Sequence, residues 1–61
     1  MEKYQVIKII KEGGNIIARE GEILYVYMDY RRIGGQKVLM KEDEYICDVG
    51  SELEKENCKK L

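Results

Sequence analysis

Between Lys3 and Lys11 the stretch KYQVIKIIK is rich in β-branched residues and alternates in character, with Gln5, Ile7 and Ile9 set against Tyr4, Val6, Lys8 and Ile10. That period of two predicts a strand, with Ile7 and Ile9 facing inward because Lys8 must point to water. Glu12 to Asn15 then reads as a turn, since paired glycines followed by Asn tolerate positive φ. A second strand is expected over Ile16 to Glu20, ended by Gly21 and Glu22. The clearest strand is Ile23 to Tyr30, with Leu24, Val26 and Met28 on the inward face and Ile23, Tyr25, Tyr27 and Asp29 on the other. Arg31 to Gln36 forms the next turn around Gly34 and Gly35, and Lys37 to Lys41 returns as a fourth strand with Val38 and Met40 inward. Lys41 to Glu44 is a charged turn, and Tyr45 to Val49 is a fifth strand. Ser51 followed by Glu54 matches a capping box, so a helix of one or two turns starts there. Residues 57–61 fit either an extension of that helix or a last short strand.

Five short strands with closely spaced turns and one helical turn describe an all-β domain, mainly β, of the small-barrel type. Length selects among barrels. At 61 residues the chain holds one domain, spanning 1–61, and buries only about 60% of the surface its unfolded form exposes. An OB-like barrel usually needs more residues, so a five-stranded SH3-like barrel is the expected architecture.

Composition narrows function mostly by exclusion. Apolar residues make up 44% and charged residues 38% of the chain, which is the balance of a folded domain rather than a disordered one. No stretch approaches the roughly 20 apolar residues of a membrane span. The N-terminus lacks the length and flanks of a signal peptide, so a cytoplasmic location is expected, with no membrane partner. Cys47 and Cys58 are the only cysteines and there is no His. Free thiols, at least one of them partly buried, are therefore expected, and neither a metal site nor a cofactor. Glu42, Asp43, Glu44 and Asp48 lack the spacing of a calcium loop. The nucleophile candidates Cys47, Cys58 and Ser51 have no evident base, so the chain is not expected to be an enzyme.

Net charge is −1, yet it is unevenly spread: residues 1–41 hold eight Lys and Arg against five Asp and Glu, while residues 42–61 hold three against seven. The candidate contact surface lies in the basic part. Tyr25 and Tyr27 share the outward face of the strongest strand, with Tyr30, Arg31, Arg32 and Lys37 at or beyond its end. Tyrosine supplies large contact area at low entropic cost, and arginine pairs with carboxylates or phosphates. The same residues also fit ordinary strand packing and a solvated turn. The functional readings are a non-enzymatic module that binds a protein, a nucleic-acid binder that stacks bases on the tyrosines, and a homodimer that buries them. The expected state is accordingly a monomer or a homodimer.

Gly21-Glu22-Ile23 opening the central strand, Tyr45-Ile46-Cys47-Asp48 as the late strand, and Ser51-Glu52-Leu53 running to Asn57-Cys58-Lys59-Lys60-Leu61 resemble the short SH3-like proteins of bacterial phages and mobile elements. That resemblance implies an accessory role in such an element. Leu24 to Tyr30 is similar to the ALYDY stretch of eukaryotic SH3 domains, but the chain has no Trp and no Pro, so proline-peptide binding is not carried over. RRIGGQKV resembles the glycine-bearing turn of the KOW motif of ribosome-associated and transcription proteins.

Overall fold

A computed structural model describes residues 2–61. The order is β1 (Lys3–Val6), β2 (Ile10–Glu12), β3 (Asn15–Ala18), β4 (Ile23–Asp29), β5 (Gln36–Lys41), β6 (Glu44–Asp48), α1 (Glu52–Asn57) and β7 (Cys58–Lys60). The protein is mainly β. Five strands form an antiparallel sheet in the order β6-β5-β4-β1-β7, and β2-β3 is a separate hairpin. The two sheets do not close into a barrel. A cleft of about 360 Å³ lies between Lys11, Glu12 and Ile17 of the hairpin and Tyr45 to Asp48 of β6.

Residues 3–11 are not one strand. The backbone N–H groups of Ile7 and Lys8 both donate to the carbonyl of Asn57, at 2.7 and 3.1 Å, so the chain turns there instead of continuing its ladder. The Asn57 side-chain amide donates in turn to the carbonyls of Lys8 (3.2 Å) and Ile9 (3.0 Å). The break changes which residues face inward. Tyr4, Val6 and Ile10 are buried, whereas Ile7, expected inside, is 47% exposed and Ile9 only half-buried.

β4 and β5 pair with Val26 opposite Leu39 and Tyr27 opposite Val38. Neighbours across a ladder share a face, so Leu39 joins Val26 and Leu24 on the core side. Val38 and Met40, expected inward, point the other way. Leu39 is fully buried in the cluster of Tyr4, Val6, Ile10, Ala18, Leu24, Ile46, Cys47 and Cys58, whereas Val38 is buried outside that cluster. Met28, also expected inward, is 40% exposed at the end of β4.

Two turns show why glycine stands where it does. Gly13 and Gly14 hold φ of 56° and 85° between β2 and β3. Gly35, at φ 77°, passes so close to Met28 that an added Cβ would sit 3.0 Å from its sulfur.

Ser51 caps α1, accepting from the Glu54 amide at 3.2 Å. In the expected capping box Glu54 reaches back to the amide of the cap residue itself. Here the Ser51 amide donates to the Asp48 carbonyl, and the Glu54 carboxylate accepts from Gly50 at 2.9 Å instead. Residues 58–60 leave the helix and pair with β1, Val6 opposite Cys58 and Tyr4 opposite Lys60. That resolves the open choice at the C-terminus in favour of a strand.

Candidate interaction surface

The face of β4, β5 and β6 turned away from the core is shaped by one irregularity. Leu39 pairs with Cys47 but Met40 pairs with Tyr45, so β6 carries one extra residue, Ile46, as a bulge. In a regular strand residues three apart lie on opposite faces. The bulge shifts the phase, so Ile46 and Cys47 are both buried while Tyr45 and Asp48 lie together on the outer face. Two cross-strand rows result, Tyr25-Met40-Tyr45 and Tyr27-Val38-Asp48.

Tyr27, Val38, Met40 and Tyr45 of these rows line an open groove of about 670 Å³. Val38, 4% exposed, lies at its base, and Tyr27, Met40 and Tyr45 form its sides. Met28, Asp29, Tyr30 and Arg31 line one end and Asp43 the other. Tyr30 is 84% exposed and Ile33, in the same turn, is fully exposed.

A polar network fixes one wall. The Tyr45 hydroxyl donates to Asp48 Oδ1 at 2.8 Å, and Arg32 Nη1 donates to Asp48 Oδ2 at 2.7 Å. Arg32 also lies 3.6 Å from Asp29, and Arg31 bonds Asp29 through its amide (3.0 Å), Nε (3.0 Å) and Nη2 (3.4 Å). The Arg32 guanidinium, and then the Tyr45 hydroxyl, hold the Asp48 carboxyl below its ordinary range. Hydrogen bonds from the Arg31 side chain and backbone do the same for Asp29. Burial, and then Asp48, push the Tyr45 hydroxyl up, so its proton stays in the bond.

The six residues singled out from the sequence are therefore only partly brought together. Tyr25 and Tyr27 are on the outer face, 38% and 47% exposed, and Tyr30 and Arg31 stand at the groove's end. Arg32 serves as a brace between Asp48 and Asp29. Lys37 lies opposite Met28 in the ladder, on the side of the sheet away from Tyr27 and Val38, and pairs with Glu2 at 3.3 Å. Each of the three expected cationic contacts thus has a carboxylate partner already. Sequence reasoning missed Val38, Met40, Tyr45 and Asp43 as groove residues.

The cysteines are free and both are buried in the core. Burial, with Cys47 nearby, pushes the Cys58 thiol up to about 11. Among the described residues no group of three or more His, Cys, Asp or Glu is arranged to hold a metal ion. Among the described residues no helix is long and apolar enough to cross a membrane.

Comparison with protein families, with characterised proteins and with solved structures finds no match to this chain.

Proposed function

We propose that the protein is a non-enzymatic binding module that takes a protein partner in the groove between Tyr27 and Tyr45. The observation that carries this is Val38: an aliphatic floor with tyrosine and methionine walls, on the side of the sheet that the core does not use. Aromatic residues and Met around a small apolar floor are the composition of an interface centre. The Tyr45–Asp48–Arg32 bonds hold one wall in place before any partner arrives, which lowers the ordering cost of binding.

The finer architecture belongs to the same proposal. A meander of β4, β5 and β6, a helical turn, and a last strand returning to β1 support an open SH3-like barrel whose seam is the cleft beside β6. The resemblance stated above supports the reading of a cytoplasmic accessory protein of a phage or mobile element.

The nucleic-acid reading is weaker because Arg31, Arg32 and Lys37 are engaged by Asp29, Asp48 and Glu2. A binder of phosphates gains its affinity from cations free to neutralise them. Fluorescence anisotropy with labelled single- and double-stranded nucleic acid separates the readings. No binding at low salt is expected. Salt-sensitive binding that Arg31→Ala weakens would replace the protein reading with the nucleic-acid one.

A further inference from the structure

We infer that the groove selects a peptide segment carrying an apolar or aromatic anchor next to a lysine or arginine. This rests on the groove being the protein-binding site and adds the chemistry of the partner. The anchor follows from the exposed apolar parts of Tyr27 and Tyr45, 47% and 49% exposed beside Met40 over the buried Val38, which an apolar group covers without leaving a polar atom unpaired. The basic residue follows from the distribution of charge around the groove.

At one end the cation Arg31 is matched by Asp29, which it grips through three hydrogen bonds. At the other end stands Asp43, between Glu42 and Glu44 in the two-residue turn that joins β5 to β6. Lys41, bound to Glu22 at 2.9 Å, pairs opposite Glu44 in the ladder and also feels the charges of Glu44 and Glu42, whereas Asp43, the one of the three that lines the groove, has no ion-pair partner among the described residues. Lys3 is next in the row beyond Tyr25, opposite it in the β1–β4 ladder, and does not line the groove. The uncompensated charge at the groove is therefore negative and sits at a single end. A segment with its anchor over Val38 and its cation towards Asp43 meets both features at once. A cation directed the other way meets Arg31.

Panning the full chain against a displayed library of short random peptides tests this. Enriched peptides are expected to join an aromatic or aliphatic residue to a nearby Lys or Arg. By anisotropy, the variant Asp43→Lys should bind them about tenfold more weakly, a change of about 1.4 kcal/mol, and should prefer the same peptides with Glu in place of the basic residue. Circular dichroism of the variants checks that they are folded. Enriched peptides that lose binding in Tyr27→Ala but show no basic preference, or that bind the charge-reversed variant equally, overturn the charge inference and leave the groove as the site. Failure to obtain any peptide sensitive to Tyr27→Ala overturns both. Light scattering that shows a dimer dissociated by Tyr27→Ala would make a second copy the occupant and overturn the peptide inference.

Discussion

Asn57 ties the helix to the bend between β1 and β2, and removing its side chain should cost a large part of the molecule's stability. The residue is 8% exposed, the sole buried polar side chain among the described residues. Its amide satisfies the Lys8 and Ile9 carbonyls at 3.2 and 3.0 Å. Each such bond contributes about 0.5–1.5 kcal/mol net. Lys8 is exposed and Ile9 half-buried, so water can reach part of what is left, and Asn57→Ala should cost roughly 2 kcal/mol. A chain of 61 residues has a total stability of only about 3–9 kcal/mol. In urea the midpoint should fall by about 2 M, and in a thermal scan by roughly 10 °C.

Asn57→Asp isolates the donors, because it keeps the shape and sets a carboxylate against two carbonyls. Repulsion raises the folded-state pKa of that carboxyl above its unfolded value, since only the protonated acid can donate. Its deficit relative to the parent should therefore be smallest below the unfolded value, about 3.9, and grow as pH rises through the folded one. Near neutral pH it should exceed that of Asn57→Ala. Urea unfolding followed by circular dichroism at several pH values reads both effects. A loss under about 0.5 kcal/mol in Asn57→Ala, or an Asn57→Asp deficit that ignores pH, would refute the reasoning. The groove lies on another face, so either variant should keep peptide binding wherever it is folded.

Glu42 holds φ of 55°, a conformation that glycine adopts without strain. Glu42→Gly should gain roughly 0.5–1 kcal/mol after the added freedom of the unfolded chain is subtracted, seen as a rise in melting temperature; a fall would contradict it. Glu2, Glu22, Asp29 and Asp48 are all held below their ordinary values by hydrogen bonds from cations. Their contribution is present above the unfolded values and is lost as pH falls from about 5 towards 2. The urea midpoint should drop over that range, less steeply in high salt, and Asp48→Asn should flatten the drop further. Cys58, its folded value raised to about 11, favours the folded state below its unfolded value of about 8.5, and that benefit fades as pH rises through the folded one. A thiol reagent at mildly alkaline pH should therefore react with neither cysteine until the protein unfolds, and fast labelling of the folded chain would count against the buried placement.

What the sequence revealed depended on how far away each cause lay. The β4 strand, its turn at Gly34 and Gly35, the glycine turn after β2 and the Ser51 cap are all specified within a few residues, and local pattern sufficed. The break at Ile7 was hidden because its partner is Asn57, and no period in KYQVIKIIK records a bond to a residue that distant. In QKVLMK three apolar residues run together, so the inward phase of β5 could not be chosen from alternation. Register against Val26 decides it. Among the candidate residues, Tyr25 and Tyr27 were legible from β4 alone, whereas Val38, Met40 and Tyr45 reach the same face only through pairing. One signal was available locally: Asp29 two residues before Arg31 allows a carboxylate to bond both the arginine's amide and its side chain, which would have shown Arg31 to be partnered.

The bulge at Ile46 links the core to the site. Without the extra residue, strict alternation would bury Ile46 and turn Cys47 outward, leaving Tyr45 and Asp48 on opposite faces. The core would lose a buried side chain opposite Leu39, and the groove would lose the hydrogen bond that fixes its tyrosine wall. A single inserted position therefore places two consecutive apolar residues inside and two polar partners outside. It also brings Asp48 to Arg32, and through Arg32 the β4–β5 turn is braced against β6. Arg32, the cation closest to that brace, is occupied as a consequence of how β6 folds, and its positive charge is not offered to a ligand. The charge left for a partner to meet at the groove is Asp43, which stands in the turn between β5 and β6.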